Sequence, residues 1–323
     1  MDRINIICLY NAHGLAKDGH LLARLLKESG YHVTQSDLTS PPLLLRLSRR
    51  LHYAVKRRPI YDVNIHVESC VPDLFHLARK NILVPNLEAL RPETAQHLDA
   101  FDAIFCKTKE AYSVLSDKGL PAVMVGFSTP VNRPESRIQN WHGFFHASGV
   151  HVPGAVGVKG TESLYRTWQR HPDWPMLTIT GCRYPSQSNI TCMNGYIQEE
   201  EYIEMQNRLG VHLCLSEMEG FGHYIVEPMS LGNVVVTTDG APMNELVTPD
   251  RGFLVKTKEK TKYMFGSRYK IDEAALENTI DKILKISEEE LKAIGVKARV
   301  WYEQNDASFR KRFIEAINKL IAE

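Results

Sequence analysis

No pair of cysteines stands in a C-x-x-C arrangement, no stretch approaches the ~20 consecutive apolar residues of a membrane span, and neither sign of charge prevails. Lys and Arg number 39 against 38 Asp and Glu, which excludes a globally basic or acidic protein but leaves local clusters open. The six cysteines (Cys8, Cys70, Cys106, Cys182, Cys192, Cys214) are scattered. Most lie in apolar runs, where Cys behaves as a small hydrophobe. A reducing compartment, the cytoplasm, is the economical reading. The opening MDRINIICLYNAHG is broken by Asn11 and His13, too soon for a secretory core, and carries no cleavage pattern. No D-x-D occurs, so no metal is expected to be needed for holding a diphosphate.

What remains is a soluble chain of 323 residues, 43% hydrophobic and 24% charged, long enough for two domains. Short apolar runs alternate with amphipathic stretches, the pattern of parallel sheets covered by helices. INIICLY, YHVTQSD, DVNIHVE, NILVP, DAIFCK and AVMVGF read as strands of a first α/β domain, residues 1–135. STPVNRPESRIQNWHG is aperiodic and rich in Pro and Asn, hence a linker. GFFHASG, MLTITG, NITCMNG, VHLCLS, NVVVTT and GFLV give a second α/β domain, 136–305, and residues 306–323 a terminal helix that folds back on the first domain. Two such domains facing a cleft are expected.

The most informative segment is VHLCLSEMEGFGHYIVEPMSLGNVVVTTDGAPMNELV, residues 211–247. A strand feeds a Gly-containing loop and then a helix holding Pro228, which is tolerated only where no intrahelical donor is needed. The helix is therefore expected to begin around His223 to Ile225, with Pro228 in its first turn. Its orphan N–H groups would face Gly220 and Gly222, a ready phosphate site. Glu219 and Glu227, eight residues apart, suit the vicinal hydroxyls of a sugar or ribose.

This segment resembles the E-x7-E region of family-4 retaining GT-B glycosyltransferases. Glu219-Gly220-Phe221-Gly222, Glu227, Gly232, the Val-rich strand and Glu245 match in order. The resemblance implies two Rossmann-like domains, a nucleotide-sugar donor, a hydroxyl acceptor and no bound cofactor. Glu219 would contact the donor sugar as a catalytic residue, Gly220, Phe221 and Gly222 would line sugar and phosphate, and Glu227 would hold the ribose. GFFHASGVHVPGAVGVKGTESLYRTW resembles the family's diphosphate segment, with Lys159 and Gly160 in the Lys–Gly places. The family's Arg is missing, because Gly149 precedes Val150; His151 and Arg183 are the substitutes to consider. Ile197 joins the donor-binding set. In the first domain NAHGLAKDGHLLARLL resembles the family's Gly-loop, with His13 catalytic and Gly14 donor-binding. LVPNLEAL puts Asn86, then Glu88, where the family carries a His that touches the sugar, so Asn86 joins Glu219 and His13 as a catalytic residue. His66 reads as a core or cleft-rim histidine.

Two basic stretches bear on the acceptor. One carries Arg46, Arg49, Arg50, Lys56, Arg57 and Arg58, with leucines at helical spacing; the other is KTKEKTKYMFGSRYK, residues 256–270. A solvated helix face and surface loop, a membrane-surface lipid or other polyanion, and a nucleic-acid acceptor all fit such clusters. A peripheral membrane location therefore stays open. A catalytically idle nucleotide-sugar binder, and an epimerase or phosphorylase on the same fold, are the competing functions. Oligomeric state is not legible.

Overall fold

The computed structural model describes residues 2–10, 13–38, 59–130, 138–149, 157–195 and 197–323, leaving out the side chains of His13 and Glu199. Arg46, Arg49, Arg50, Arg57, Arg58 and His151 lie outside the described residues. The chain divides into two compact units. Unit 1 comprises Met1–Pro130, Met264–Gly266 and Asn305–Glu323; unit 2 comprises Val131–Tyr263 and Ser267–Gln304.

Unit 1 is a parallel six-stranded sheet of β1 (Arg3–Cys8), β2 (His32–Asp37), β3 (Tyr61–Val67), β4 (Ala78–Val84), β5 (Ala103–Cys106) and β6 (Ala122–Met124), ordered β2-β1-β3-β4-β5-β6. The five residues Val63 to Val67 are all buried, as expected of a parallel strand covered on both faces. The helix His13–Glu28 buries Leu15, Leu21, Leu22, Leu25 and Leu26. It ends at Gly30, whose φ of +88° lets the Tyr31 N–H donate back to the Leu26 carbonyl at 3.1 Å. Residues 305–323 complete the core: Phe309 and Phe313 are fully buried against Phe127 and Phe105, with ring centroids 5.1 and 5.4 Å apart. Arg312 Nε donates to the Val125 carbonyl at 3.0 Å, and Asn305 Nδ2 to that of Phe127 at 2.8 Å.

Unit 2 repeats the plan with β7 (Asn140–Ala147), β8 (Leu177–Thr180), β9 (Ile190–Met193), β10 (Leu209–Cys214), β11 (Val234–Thr238) and β12 (Phe253–Val255), ordered β12-β11-β10-β7-β8-β9 and again parallel. Its core gathers Phe144, Trp168, Leu213, Val236 and Ile280. Cys182 and Cys192 form a disulfide with Cα atoms 5.3 Å apart, which the reading of scattered thiols does not anticipate; Cys8, Cys70, Cys106 and Cys214 are free.

All twelve expected sheet strands are present, so the α/β fold class stands. Three local expectations are corrected. The basic stretch 256–270 is a two-stranded ribbon, β13 (Thr257–Tyr263) with β14 (Gly266–Ile271), not a loop. The terminal helix is longer than residues 306–323 and runs from Glu288 to Ala322. Its entry is tight at Gly295, where a Cβ would lie 1.9 Å from the Gly232 carbonyl. Gly14 belongs to the first turn of the helix His13–Glu28 rather than to a loop.

Candidate functional site

In unit 2 the chemistry collects where β7 and β10 end. After β10 the chain runs through Ser216 and Glu219 to Gly222, at φ +107°, which caps the helix His223–Leu231. Gly222 offers no side-chain cap, so the positive end of the helix dipole faces the loop, a place suited to an anion. The helix starts at His223, the first residue of the expected range, but Pro228 is its sixth residue, in the second turn rather than the first. Proline there removes the N–H that the Tyr224 carbonyl would accept. The Cys214 thiol donates to that carbonyl instead, at 3.3 Å, which explains how the helix carries the proline.

Glu219 Oε1 accepts from the Lys159 ammonium and from Ser216 Oγ. Lys159 also stands 4.0 Å from the centre of the Tyr224 ring, and Tyr224 Oη lies 2.6 Å from Ser216 Oγ. The Lys159 and Glu219 side chains are only 26% and 14% exposed. The two residues expected at diphosphate and sugar are therefore one ion pair. Lys159 is set by Gly160, whose φ is +68° and whose Cβ, if present, would lie 2.5 Å from the Leu215 carbonyl. Only glycine fits that place. His146, fully buried at the end of β7, donates from Nδ1 to the Leu213 carbonyl at 2.6 Å and accepts at Nε2 from Thr161 Oγ1 at 2.8 Å. Burial holds its pKa down to about 4.

Glu227 is half-buried in the same helix. Ile197 packs with Phe145, Met205 and Leu209 in a small apolar cluster, and Arg183 is exposed. Arg268, read in the sequence only as one cation of the basic stretch, has an internal partner: its Nε donates to Glu217 Oε2 at 2.6 Å, while the Tyr269 N–H donates to the Glu217 carbonyl at 2.8 Å. The ribbon thus braces the loop that carries Glu219.

In unit 1 Asn86 does not stand alone. Its Oδ1 accepts from Lys107 Nζ at 2.8 Å, and its Nδ2 donates to Glu68 Oε2 at 2.7 Å. Lys107 pairs in turn with Asp18, their side chains 1% and 3% exposed. Burial raises the Glu68 carboxyl above the ordinary carboxylate range, against the opposing pull of Asn86 and Lys107. Neither Glu68, Lys107 nor Asp18 was singled out by sequence. Gly14 is exposed near the start of the helix after β1; Glu88 lies in the short turn Leu87–Ala89 that follows Asn86. His66 is fully buried, edge-on to Phe75 and Phe101 at 5.2 and 5.4 Å, and is a core residue. Among the described residues no His, Cys, Asp and Glu group could hold a metal ion, and no helix is long and apolar enough to cross a membrane.

Residues 187–301 match the family described as Glycosyl transferases group 1. No curated protein sequence matches the chain significantly. Among solved structures, the chain resembles sucrose-phosphate synthase from Thermosynechococcus elongatus at 15% identity and a TM-score of 0.70, with 100% of both chains covered. It resembles a trehalose-6-phosphate synthase studied for glycosyl transfer with retention at 11% identity and TM-score 0.65, covering 98% of this chain and 99% of that one. A trehalose-6-phosphate structure from E. coli bound with UDP-2-fluoro glucose aligns at 11% identity, TM-score 0.65 and 99% of both chains. The chain thus matches the glycosyl transferases group 1 model over residues 187–301, and its two sheets have the fold of GT-B glycosyltransferases.

Proposed function

We propose that the chain is a retaining, metal-independent glycosyltransferase that moves a hexose from a UDP- or GDP-sugar to a hydroxyl acceptor. The observation that carries this is the meeting, at one loop, of Lys159, Glu219 and the uncapped end of the helix His223–Leu231. Positive charge from the ammonium and the helix end suits the diphosphate that departs as the C1–O bond breaks. Glu219 accepts from sugar hydroxyls, and Glu227 from the ribose. In the retaining scheme the acceptor attacks from the face the diphosphate leaves, and its proton passes to the departing phosphate oxygen. No protein nucleophile is then required. His13 and Gly14 contribute from unit 1, and Ile197 beside the donor base. The protein acts in the cytoplasm, and its acceptor is a compound that offers a hydroxyl.

The test is a thermal-shift screen against UDP-, GDP- and ADP-sugars. A true donor at 100 times its Kd adds about 2.7 kcal/mol. Transfer from that donor should survive chelator; a strict Mg²⁺ or Mn²⁺ requirement, or no stabilisation by any donor, would refute the reading.

A further inference from the structure

Because the strands of unit 1 are parallel, β1, β3, β4 and β5, which are neighbours in the sheet, all end at one edge. Each delivers one member of a single hydrogen-bonded chain there. Asp18 comes from the helix after β1, Glu68 directly after Val67, Asn86 two residues after Val84, and Lys107 directly after Cys106. The sheet order turns back at β1, which has β2 on one side and β3 on the other. Open α/β sheets take ligands in the crevice outside the strand ends at such a reversal. Glu68 stands at the β3 side of it.

The backbone at Glu68 is unusual. Its φ is +64°, and the Ser69 N–H donates across it to the Val67 carbonyl at 2.7 Å. A γ-turn of positive φ is rare and strained for a residue with a side chain, and persists only where the surroundings over-determine it. The surroundings here fix the carboxylate rather than merely tolerate it. Oε2 is held by Asn86, whose amide orientation is set by Lys107, itself locked on Asp18. Oε1 has no donor among the described residues, and Glu68 is half-buried rather than sealed.

We propose that Glu68 is an acceptor-binding carboxylate, receiving at Oε1 a hydrogen bond from a hydroxyl of a neutral sugar or polyol. Asn86, Lys107 and Asp18 are positioning residues. Lys107 and Asp18 satisfy one another, so the remaining oxygen of Glu68 is left as an acceptor, which suits the hydroxyl of a sugar or polyol. Asn86, both ends of whose amide are spent on the protein, hands the contact with substrate to Glu68. This inference rests on the reading that the chain transfers a sugar to a hydroxyl.

The test uses the full chain, Glu68→Gln and Glu68→Gly, with methyl α-D-gluco-, galacto- and mannopyranoside and their 6-phosphates as probes, followed by saturation-transfer NMR. UDP and GDP affinities and melting temperature are measured alongside. At least one neutral hexoside should bind the native chain and lose at least tenfold in affinity in both variants. Nucleotide binding and melting temperature should stay unchanged, glycine being at ease at positive φ. Three results overturn the proposal: no neutral hexoside binding, equal binding to the variants, or a large fall in melting temperature in both, which would make the carboxylate structural. Absence of UDP and GDP binding in the native chain would instead strike the transferase reading, and the hexoside result would still decide the role of Glu68.

Discussion

Neutralising Glu219 should tighten the binding of a bare nucleoside diphosphate while abolishing efficient transfer. The Lys159 ammonium is shared between the Glu219 carboxylate and the Tyr224 ring. A diphosphate that recruits Lys159 must loosen that pair and also approach the Glu219 charge. Glu219→Gln keeps the shape and a carbonyl oxygen for Ser216 but removes the charge. Fully exposed pairs contribute about 0.2–1 kcal/mol and breaking buried ones costs about 3–5 kcal/mol. Side-chain exposures of 26% and 14% put this pair between those limits. A release of about 1–2 kcal/mol, roughly 5–30-fold in affinity, follows for UDP or GDP. Isothermal calorimetry at fixed ionic strength reads it directly. Lys159→Met in the Glu219→Gln background should erase the gain, which separates released lysine from a general loss of negative charge. Unchanged or weaker UDP and GDP binding by Glu219→Gln would refute the argument that the ion pair competes with donor.

Glu227→Ala should weaken UDP or GDP binding by about 1.5–3 kcal/mol, the worth of a hydrogen bond to a charged acceptor, as read by calorimetry; unchanged affinity would remove Glu227 from the ribose site. Gly160→Ala should cost of order 1–3 kcal/mol, because it puts a side chain at φ +68° and a Cβ 2.5 Å from the Leu215 carbonyl; an unaltered denaturation midpoint would show that the turn relaxes freely. His66, His146 and His212 are buried with pKa values lowered from 6.5 to about 4, chiefly by desolvation. The unfolded chain therefore takes up protons first, and stability should be level above pH 6.5 and fall by roughly 3 kcal/mol per histidine as pH drops from 6.5 towards 4; urea midpoints independent of pH across that window would contradict the burial of these rings.

The alternation of apolar strand and amphipathic helix was legible because parallel strands buried on both faces leave uninterrupted runs such as INIICLY and VHLCL. The start of the helix at His223 was legible from Pro228, although the proline sits a turn later than expected. Sequence cannot show that the Cys214 thiol takes over the freed Tyr224 carbonyl. The ribbon β13–β14 was not legible either. Its strand TKEKTKY is polar on nearly every residue, so hydrophobic period gives no signal. Its role depends on Arg268 and Tyr269 reaching Glu217, some fifty residues earlier in the chain.

The two halves differ in legibility for a topological reason. In unit 2 the loop from Ser216 to Gly222 and the helix that follows carry Glu219, the glycines and Glu227 within one short segment. A single strand–loop–helix passage sets their spacing, so the spacing itself becomes a motif. Lys159, one sheet neighbour away, needs only a second short segment. In unit 1 the comparable groups come from the ends of four strands and are spread from Asp18 to Lys107. Each is separated from the next by a complete strand or helix whose length is free to vary. Alone, Glu68 is one acid at the end of an apolar run and Lys107 one lysine before a helix cap; nothing in the spacing ties them. Only the parallel register of β1, β3, β4 and β5 places them at one edge. The sequence feature that did point there was Asn86, read as the replacement for a histidine. The structure gives that asparagine two protein partners, Lys107 and Glu68. An amide can bridge a cation and an anion because it offers an acceptor at one end and donors at the other. A neutral imidazole at the same place would also have one donor and one acceptor nitrogen, but in a rigid ring whose protonation would put a second cation beside Lys107. The substitution thus fits a site in which the residue's work is to orient Glu68 without titrating.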